Sequence, residues 1–174
     1  MAEYGLELHS EKTRLIEFGR FAQANRKRNG AGKPETFHFL GFTHICGTIH
    51  NGGNFTLMRK TVGKRMTAKL RNNAEELRRL INDSIEQTGN WLTQVLRGYF
   101  NYHAVPGNLR RLCTFRRETA RHWLFILRRR NQRSQWTWER FCVLIDRYLP
   151  EPEILHPHPL ERFYAKHPDK SRVR

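Results

Sequence analysis

The chain has 174 residues, 38% of them hydrophobic, and its 32 Lys and Arg outnumber 16 Asp and Glu to give a net charge of +16. An excess of that size repels itself in a compact state and attracts polyanions, so nucleic acid is the expected partner and an anionic membrane the rival. Aromatic residues make up 11%, which argues against a merely disordered basic tail, because such rings need a core or a ligand.

In chain order, Leu6 and Leu8 alternate with polar neighbours, and Leu15, Ile16 and Phe18 form a second short apolar run, so the first segment reads as strands. Residues 25–36 are polar, basic and Gly-rich, and read as a loop. Residues 37–46, Phe-His-Phe-Leu-Gly-Phe-Thr-His-Ile-Cys, read as one strand with Phe37 and Phe39 inward. A turn at Asn51-Gly-Gly-Asn54 returns the chain through Phe55–Met58 and completes a hairpin. Strands this few and short make a poor independent sheet, so the chain is expected to begin partway into a domain.

Helical spacing then takes over. Met58, Val62, Met66, Leu70, Leu77, Leu80 and Ile81 recur on one face, with Arg59, Lys60, Lys64, Arg65, Lys69 and Arg71 between them. Trp91, Leu92, Val95, Leu96, Tyr99 and Phe100 predict a second helix of two to three turns. Pro106-Gly107 breaks it, and Asn108 is placed to cap a third helix running from Leu109 to Arg128-Arg129-Arg130. Thr137 is placed to cap a fourth, with Trp138, Phe141, Ile145 and Leu149 on its face. Pro150, Pro152, Pro157 and Pro159 then stop regular structure. The fold class expected is α+β: a short N-terminal hairpin followed by a mainly helical bundle.

Charge is concentrated rather than spread. Residues 51–134 carry 18 basic and 5 acidic residues, whereas residues 1–50 carry 7 and 5, and residues 135–174 carry 7 and 6. The binding surface is therefore expected in the middle segment, on Arg59, Lys60, Lys64, Arg65, Lys69, Arg71, Arg97, Arg110, Arg111, Arg116, Arg117, Arg121, Arg128, Arg129 and Arg130. Arg dominates the third helix, and its planar fork suits phosphate. Tyr99 and Tyr102, beside Arg97-Gly98, have the chemistry to stack on bases, though packing serves them equally well.

Catalytic constellations are sparse. Glu75-Glu76 and Glu151/Glu153 are the close acidic pairs, the first reading as a solvated helix face and the second as loop. Two-metal chemistry needs several converging carboxylates. His156-Pro-His158 lacks an evident third ligand, and Gly30-Ala-Gly-Lys-Pro lacks the spacing of a phosphate-binding loop. The three cysteines, Cys46, Cys113 and Cys142, form no CxxC, so zinc has little support and a reduced compartment is the natural reading. No run reaches the roughly 18 apolar residues of a membrane span, and no signal peptide pattern opens the chain. A cytoplasmic protein is expected, with no metal, no membrane and no small-molecule substrate.

These segments together carry a resemblance. Leu6-Glu-Leu-His-Ser-Glu-Lys-Thr13, followed by Phe39-Leu-Gly-Phe42, resembles the end of the reverse-transcriptase palm in group II intron-encoded proteins. Trp91-Leu-Thr-Gln-Val-Leu-Arg-Gly-Tyr-Phe-Asn-Tyr-His103, then Asn108 and the Phe115-Arg-Arg helix with Trp123, resembles the thumb and maturase domain of that family. The tail Trp138-Glu-Arg140 and His156-Pro-His-Pro159 is similar to that of bacterial members. The match covers nearly the whole chain; each motif alone is weak, and their order and spacing together carry it.

The resemblance implies residues 1–57 as a palm remnant, residues 58–149 as a helical thumb and maturase-specific domain, and residues 150–174 as a Pro-rich basic tail. It implies that Lys12 is the counterpart of the palm lysine near the incoming nucleotide and that Phe39, Leu40, Gly41 and Phe42 form a primer-grip-like segment. It sets Arg59–Arg71 and Arg97–Arg130 against intron RNA. The family's catalytic Tyr-Ala-Asp-Asp motif is not among these residues, so no enzymatic activity is expected from this polypeptide alone, and Mg would enter only with a complete palm. The expected function is binding of structured group II intron RNA to assist its folding and splicing. The alternatives are one half of a split RNA-directed DNA polymerase, paired with a palm half encoded upstream, or a truncated mobile-element remnant without function.

Overall fold

The computed structural model describes residues 13–48, 55–130 and 136–158, with His9, Glu161 and Ala165. The chain is α+β: among the described residues, a three-stranded antiparallel sheet of order β1-β2-β3 accompanies five α-helices. It divides into two compact units, residues 1–37 with 44–57, and residues 38–43 with 58–174.

In the first unit, residues 13–20 form no strand, contrary to the reading of Leu15, Ile16 and Phe18, and Leu15 is almost fully exposed. Side chains rather than a ladder anchor this segment. Phe18 meets Phe37 edge-on at 4.8 Å, and the Gly19 N–H donates to the Cys46 sulfur at 3.4 Å. Helix α1 (Ala22–Arg28) runs through residues 25–28, the start of the stretch expected as a loop, and residues 29–36 form no helix or strand. Arg26, Lys27 and Arg28 occupy its last turn, where cations suit the partial negative charge of the carbonyl end. Glu35 then pairs with both Arg14 and Arg26.

The single strand expected over residues 37–46 is two: β1 (Phe37–Phe39) and β2 (Phe42–Thr48). Leu40 and Gly41 fold them back with φ of 46° and 82°, the left-handed pair of a two-residue hairpin turn. Phe39, expected inward, is 58% exposed because the reversal begins one residue after it. Strand β3 (Phe55–Thr61) absorbs Met58, Arg59 and Lys60, which were expected to open a helix. The turn at 51–54, and Leu6 and Leu8, lie outside the described residues.

In the second unit, α2 (Gly63–Arg79) buries Met66, Leu70, Asn73 and Leu77 along one face, and a 3-10 turn (Leu80–Asn82) follows it. Helix α3 (Ile85–His103) starts six residues before Trp91. The cause is a capping box: the Gln87 N–H donates to the Ser84 hydroxyl at 3.1 Å, and the Ser84 N–H donates to the Gln87 side-chain oxygen at 3.0 Å. Helices α4 (Leu109–Arg129) and α5 (Trp138–Tyr148) stand where periodicity put them, and Thr137 caps α5 by accepting from the Arg140 N–H. Trp138, expected on the buried face, is half exposed.

Helix α4 packs along α2, and α5 packs on α3. Leu77, Leu92, Leu96, Phe115, Trp123 and Phe141 are fully buried at the centre. Beyond α5, the Leu155 and His156 N–H groups both donate to the Ala104 carbonyl, at 3.0 and 3.1 Å, and the His156 Nε2 lies 2.7 Å from the Asn101 carbonyl. That contact uses the His156 ring for packing. Among the described residues, no helix is long and apolar enough to cross a membrane.

Candidate nucleic-acid interface

Four of the six cations of α2 divide between two sides. Arg65 and Lys69, one turn apart, flank the buried face on one side; Thr67, Arg71, Ala74 and Arg78, spaced four, three and four, flank it on the other. Each side lines a different groove of the helical unit.

The first groove, about 520 Å³, lies between α2 and α3. Met66, Val95 and Tyr99 contribute its apolar lining, Arg65 and Lys69 its charge, and Gln94, Tyr102 and His103 its polar groups. Gly41 lines it as well. The Tyr102 hydroxyl donates to the Leu40 carbonyl at 2.7 Å, and its ring lies near-parallel to Phe42 at 5.7 Å. This fixes a ring that is still 52% exposed. Phe42 and Gly41 are buried beneath it, whereas Leu40 is 65% exposed at the corner.

Tyr99, left open in the sequence between stacking on bases and packing, is buried. Its ring is sandwiched by Phe115 at 3.6 Å and His103 at 4.1 Å. Burial pushes the Tyr99 hydroxyl up to about 12; the neighbouring Thr61 side chain and the Arg111 charge oppose that rise, without giving the hydroxyl a hydrogen bond of normal geometry. Burial also lowers the His103 pKa, against the stabilising bond from its ring to the Tyr99 carbonyl at 3.1 Å. A carbonyl only accepts, so Nδ1 carries the proton and Nε2 of the neutral ring is left as an acceptor.

The second groove lies between α2 and α4. Thr67, Arg71, Ala74 and Arg78 face Glu118 and His122 across about 350 Å³, and an adjoining pocket of about 270 Å³ reaches Phe125 and Ile126. Phe125 is half exposed, with the Arg129 guanidinium 5.3 Å above its ring, an arrangement that offers both a flat face and a charge. Arg117 and Arg121 share Glu118 at 3.4 and 3.2 Å.

A third recess, about 360 Å³, is lined by Lys60 of β3 and by Gly107, Arg110, Arg111 and Thr114 at the start of α4. Arg59 and Lys60, expected on the basic helix, are on the strand instead. Arg59 is half-buried with its Nε unpartnered, and burial lowers its pKa. Asn108, expected to cap α4, makes no side-chain cap bond. It is fully buried and uses its amide elsewhere: Oδ1 accepts from the Thr61 N–H at 3.0 Å, and Nδ2 reaches the Thr61 hydroxyl and the His103 carbonyl, both at 2.8 Å.

Three of the basic residues of the sequence reading are engaged within the fold. Arg116 donates through Nε and Nη2 to the Leu149 carbonyl, at 3.2 and 3.0 Å, and pairs with Glu151 at 2.7 Å. Arg128 donates to the Trp136 carbonyl at 3.1 Å, and Arg130 donates to the Asp83 carbonyl. These three hold the fold together. Lys64 and Arg97 are exposed but lie outside the three grooves, and Lys12 falls outside the described residues. Gln94, Arg78 and His122 were not anticipated. Arg78 was findable, since it stands seven residues, two helical turns, after Arg71.

Among the described residues, no three His, Cys, Asp or Glu side chains gather as a metal site. Compared with known proteins, the chain matches no family model, no curated protein and no solved structure.

Proposed function

We propose that this chain is an RNA-binding protein of the group II intron maturase type, which stabilises folded intron RNA and so assists its splicing in the cytoplasm. The observation that carries the reading is the division of four α2 cations between two grooves, each with an aromatic at hand: Tyr102 beside Arg65 and Lys69 in one, and Phe125 beside Arg78, which shares its groove with Arg71, in the other. Solvated charge needs no grooves. A ligand with alternating phosphates and flat bases uses both components at once. The mechanism is electrostatic: phosphates that repel one another in a compact ribozyme are neutralised by side chains held on packed helices, while the RNA supplies the splicing chemistry.

The test is binding of a group II intron RNA to the full chain across a range of salt. Affinity should fall steeply, by orders of magnitude between about 50 and 200 mM salt. Affinity that barely changes over that range overturns the reading.

A second reading, one half of a split RNA-directed DNA polymerase, draws on the Leu40–Gly41 corner that Tyr102 pins beside the Arg65 and Lys69 groove. The carboxylates for two metal ions would come from a separate palm polypeptide. Primer extension by the two polypeptides mixed, and by neither alone, distinguishes it.

A further inference from the structure

Three cations meet in the recess at the start of α4, and the fold works to hold them there. Lys60 comes from a strand, whereas Arg110 and Arg111 come from a helix roughly fifty residues later. Among the described residues, none of the three makes an ion pair. Their mutual repulsion opposes folding, yet the elements that carry them are joined by a buried polar clamp. Thr61, next to Lys60, is bonded through both its N–H and its hydroxyl to Asn108, two residues before Arg110. Both clamp residues are buried, Thr61 at 2% and Asn108 at 0% exposure. An asparagine at a helix start ordinarily turns its side chain to the helix N–H groups; here it turns to the strand instead. Thr114, one turn after Arg110, also lines the wall, its hydroxyl donating to the Arg110 carbonyl at 2.9 Å, and Gly107 lines it with a φ of 85°.

We propose that this recess is a seat for one phosphate group, occupied by a single phosphodiester of the bound RNA, with Asn108 and Thr61 as positioning residues. The occupant rests on the RNA-binding reading above; the seat does not. A phosphate supplies the negative charge that the recess lacks, and guanidinium forks suit its tetrahedral oxygens. One site engaged by three cations also differs measurably from three cations on a basic surface. The salt slope of binding counts phosphates neutralised, not cations present.

Two measurements test it on the full chain. In the first, inorganic pyrophosphate is titrated at constant ionic strength while backbone amide shifts are followed. Saturable shifts centred on Gly107, Arg110 and Arg111 are expected. No saturable shift, or shifts spread evenly over the arginines of α2 and α4, overturns the seat whether or not RNA binds.

In the second, the salt dependence of RNA binding is compared for the native chain, for K60Q, R110Q and R111Q singly, and for the triple variant. The triple variant should lower the slope by only about one, as expected for one lost phosphate. A loss near three, meaning independent contacts, or no loss at all, overturns the proposal while leaving RNA binding intact. If the native chain binds no RNA, the phosphodiester occupant and the functional reading fail together, and the pyrophosphate result stands apart from both.

Discussion

The Tyr148 ring rests directly on Gly89: a β-carbon at position 89 would lie 2.5 Å from the ring's Cγ. Helix α3 therefore needs a glycine in its interior, where glycine is unfavourable by about 1 kcal/mol relative to alanine. Gly89→Ala gains that propensity and loses more through the clash, because the neighbouring Thr93 hydroxyl also donates to the Tyr148 carbonyl at 2.6 Å and holds α5 close. The expected result is a net destabilisation of about 1–3 kcal/mol in urea melts. A variant as stable as the native chain would show that α5 shifts freely on α3.

Asn108→Ala leaves the Thr61 N–H without its acceptor and the Thr61 hydroxyl without its donor, both in a buried setting. A loss of about 2–3 kcal/mol is expected from stranded polar groups. Thr61→Val in the Asn108→Ala background should cost less than Thr61→Val alone, since part of the bonded pair is already gone. Additive effects in that double-mutant cycle would mean that the pair is not coupled.

Tyr99→Phe tests the orphaned hydroxyl. Removing a buried group that makes no hydrogen bond should leave stability at neutral pH equal or higher. The pH dependence has a definite sign. The ordinary tyrosine value is 10.0 and the folded one about 12, so between them the unfolded chain loses the phenolic proton while the folded chain keeps it. The stability contribution is fully present below about pH 10 and is lost as pH rises toward about 12. Tyr99→Phe should flatten the fall in that window, measured as the difference between alkaline melts of the two proteins. An unchanged fall would contradict the raised value.

Arg116→Gln and the pair Arg71→Gln with Arg78→Gln should behave in opposite ways. The first removes two donors from the Leu149 carbonyl and the Glu151 pair. It should lower stability by about 1–2 kcal/mol and leave the salt slope of RNA binding alone. The second removes exposed groove cations and should leave melting nearly unchanged while lowering the slope by up to about two. The reverse pattern would place the RNA on the wrong side of α4.

The helices of the second unit were legible because their apolar spacing is long and regular; α4 and α5 follow it closely, down to the Thr137 cap. The entry to α2 was not. Met58, Val62 and Met66 stand four apart, as on a helix, yet Met58 lies on β3 and only Met66 lies on α2. Spacing alone does not mark where a strand hands over to a helix when both carry the same apolar residues. The Leu40–Gly41 reversal was hidden for a related reason: leucine rarely takes a left-handed φ, so one strand was the natural reading. The candidate site was legible as charge and not as geometry. Asn108 next to Gly107 looks like any cap, and only the partner 47 residues away reveals its other use. Arg116 and Arg117 are adjacent in sequence, but one is bound to the Leu149 carbonyl and the other is exposed beside Glu118.

The two-sided charge of α2 also sets a distance. A strand of RNA in each groove would have the whole helix between them, and a helix with its side chains is about 10–12 Å across. Phosphates on the two strands would be screened from each other by a rod of opposite sign, yet kept from closing together. If the proposed RNA binding holds, α2 would serve as a spacer bar whose thickness limits how near the two strands could lie.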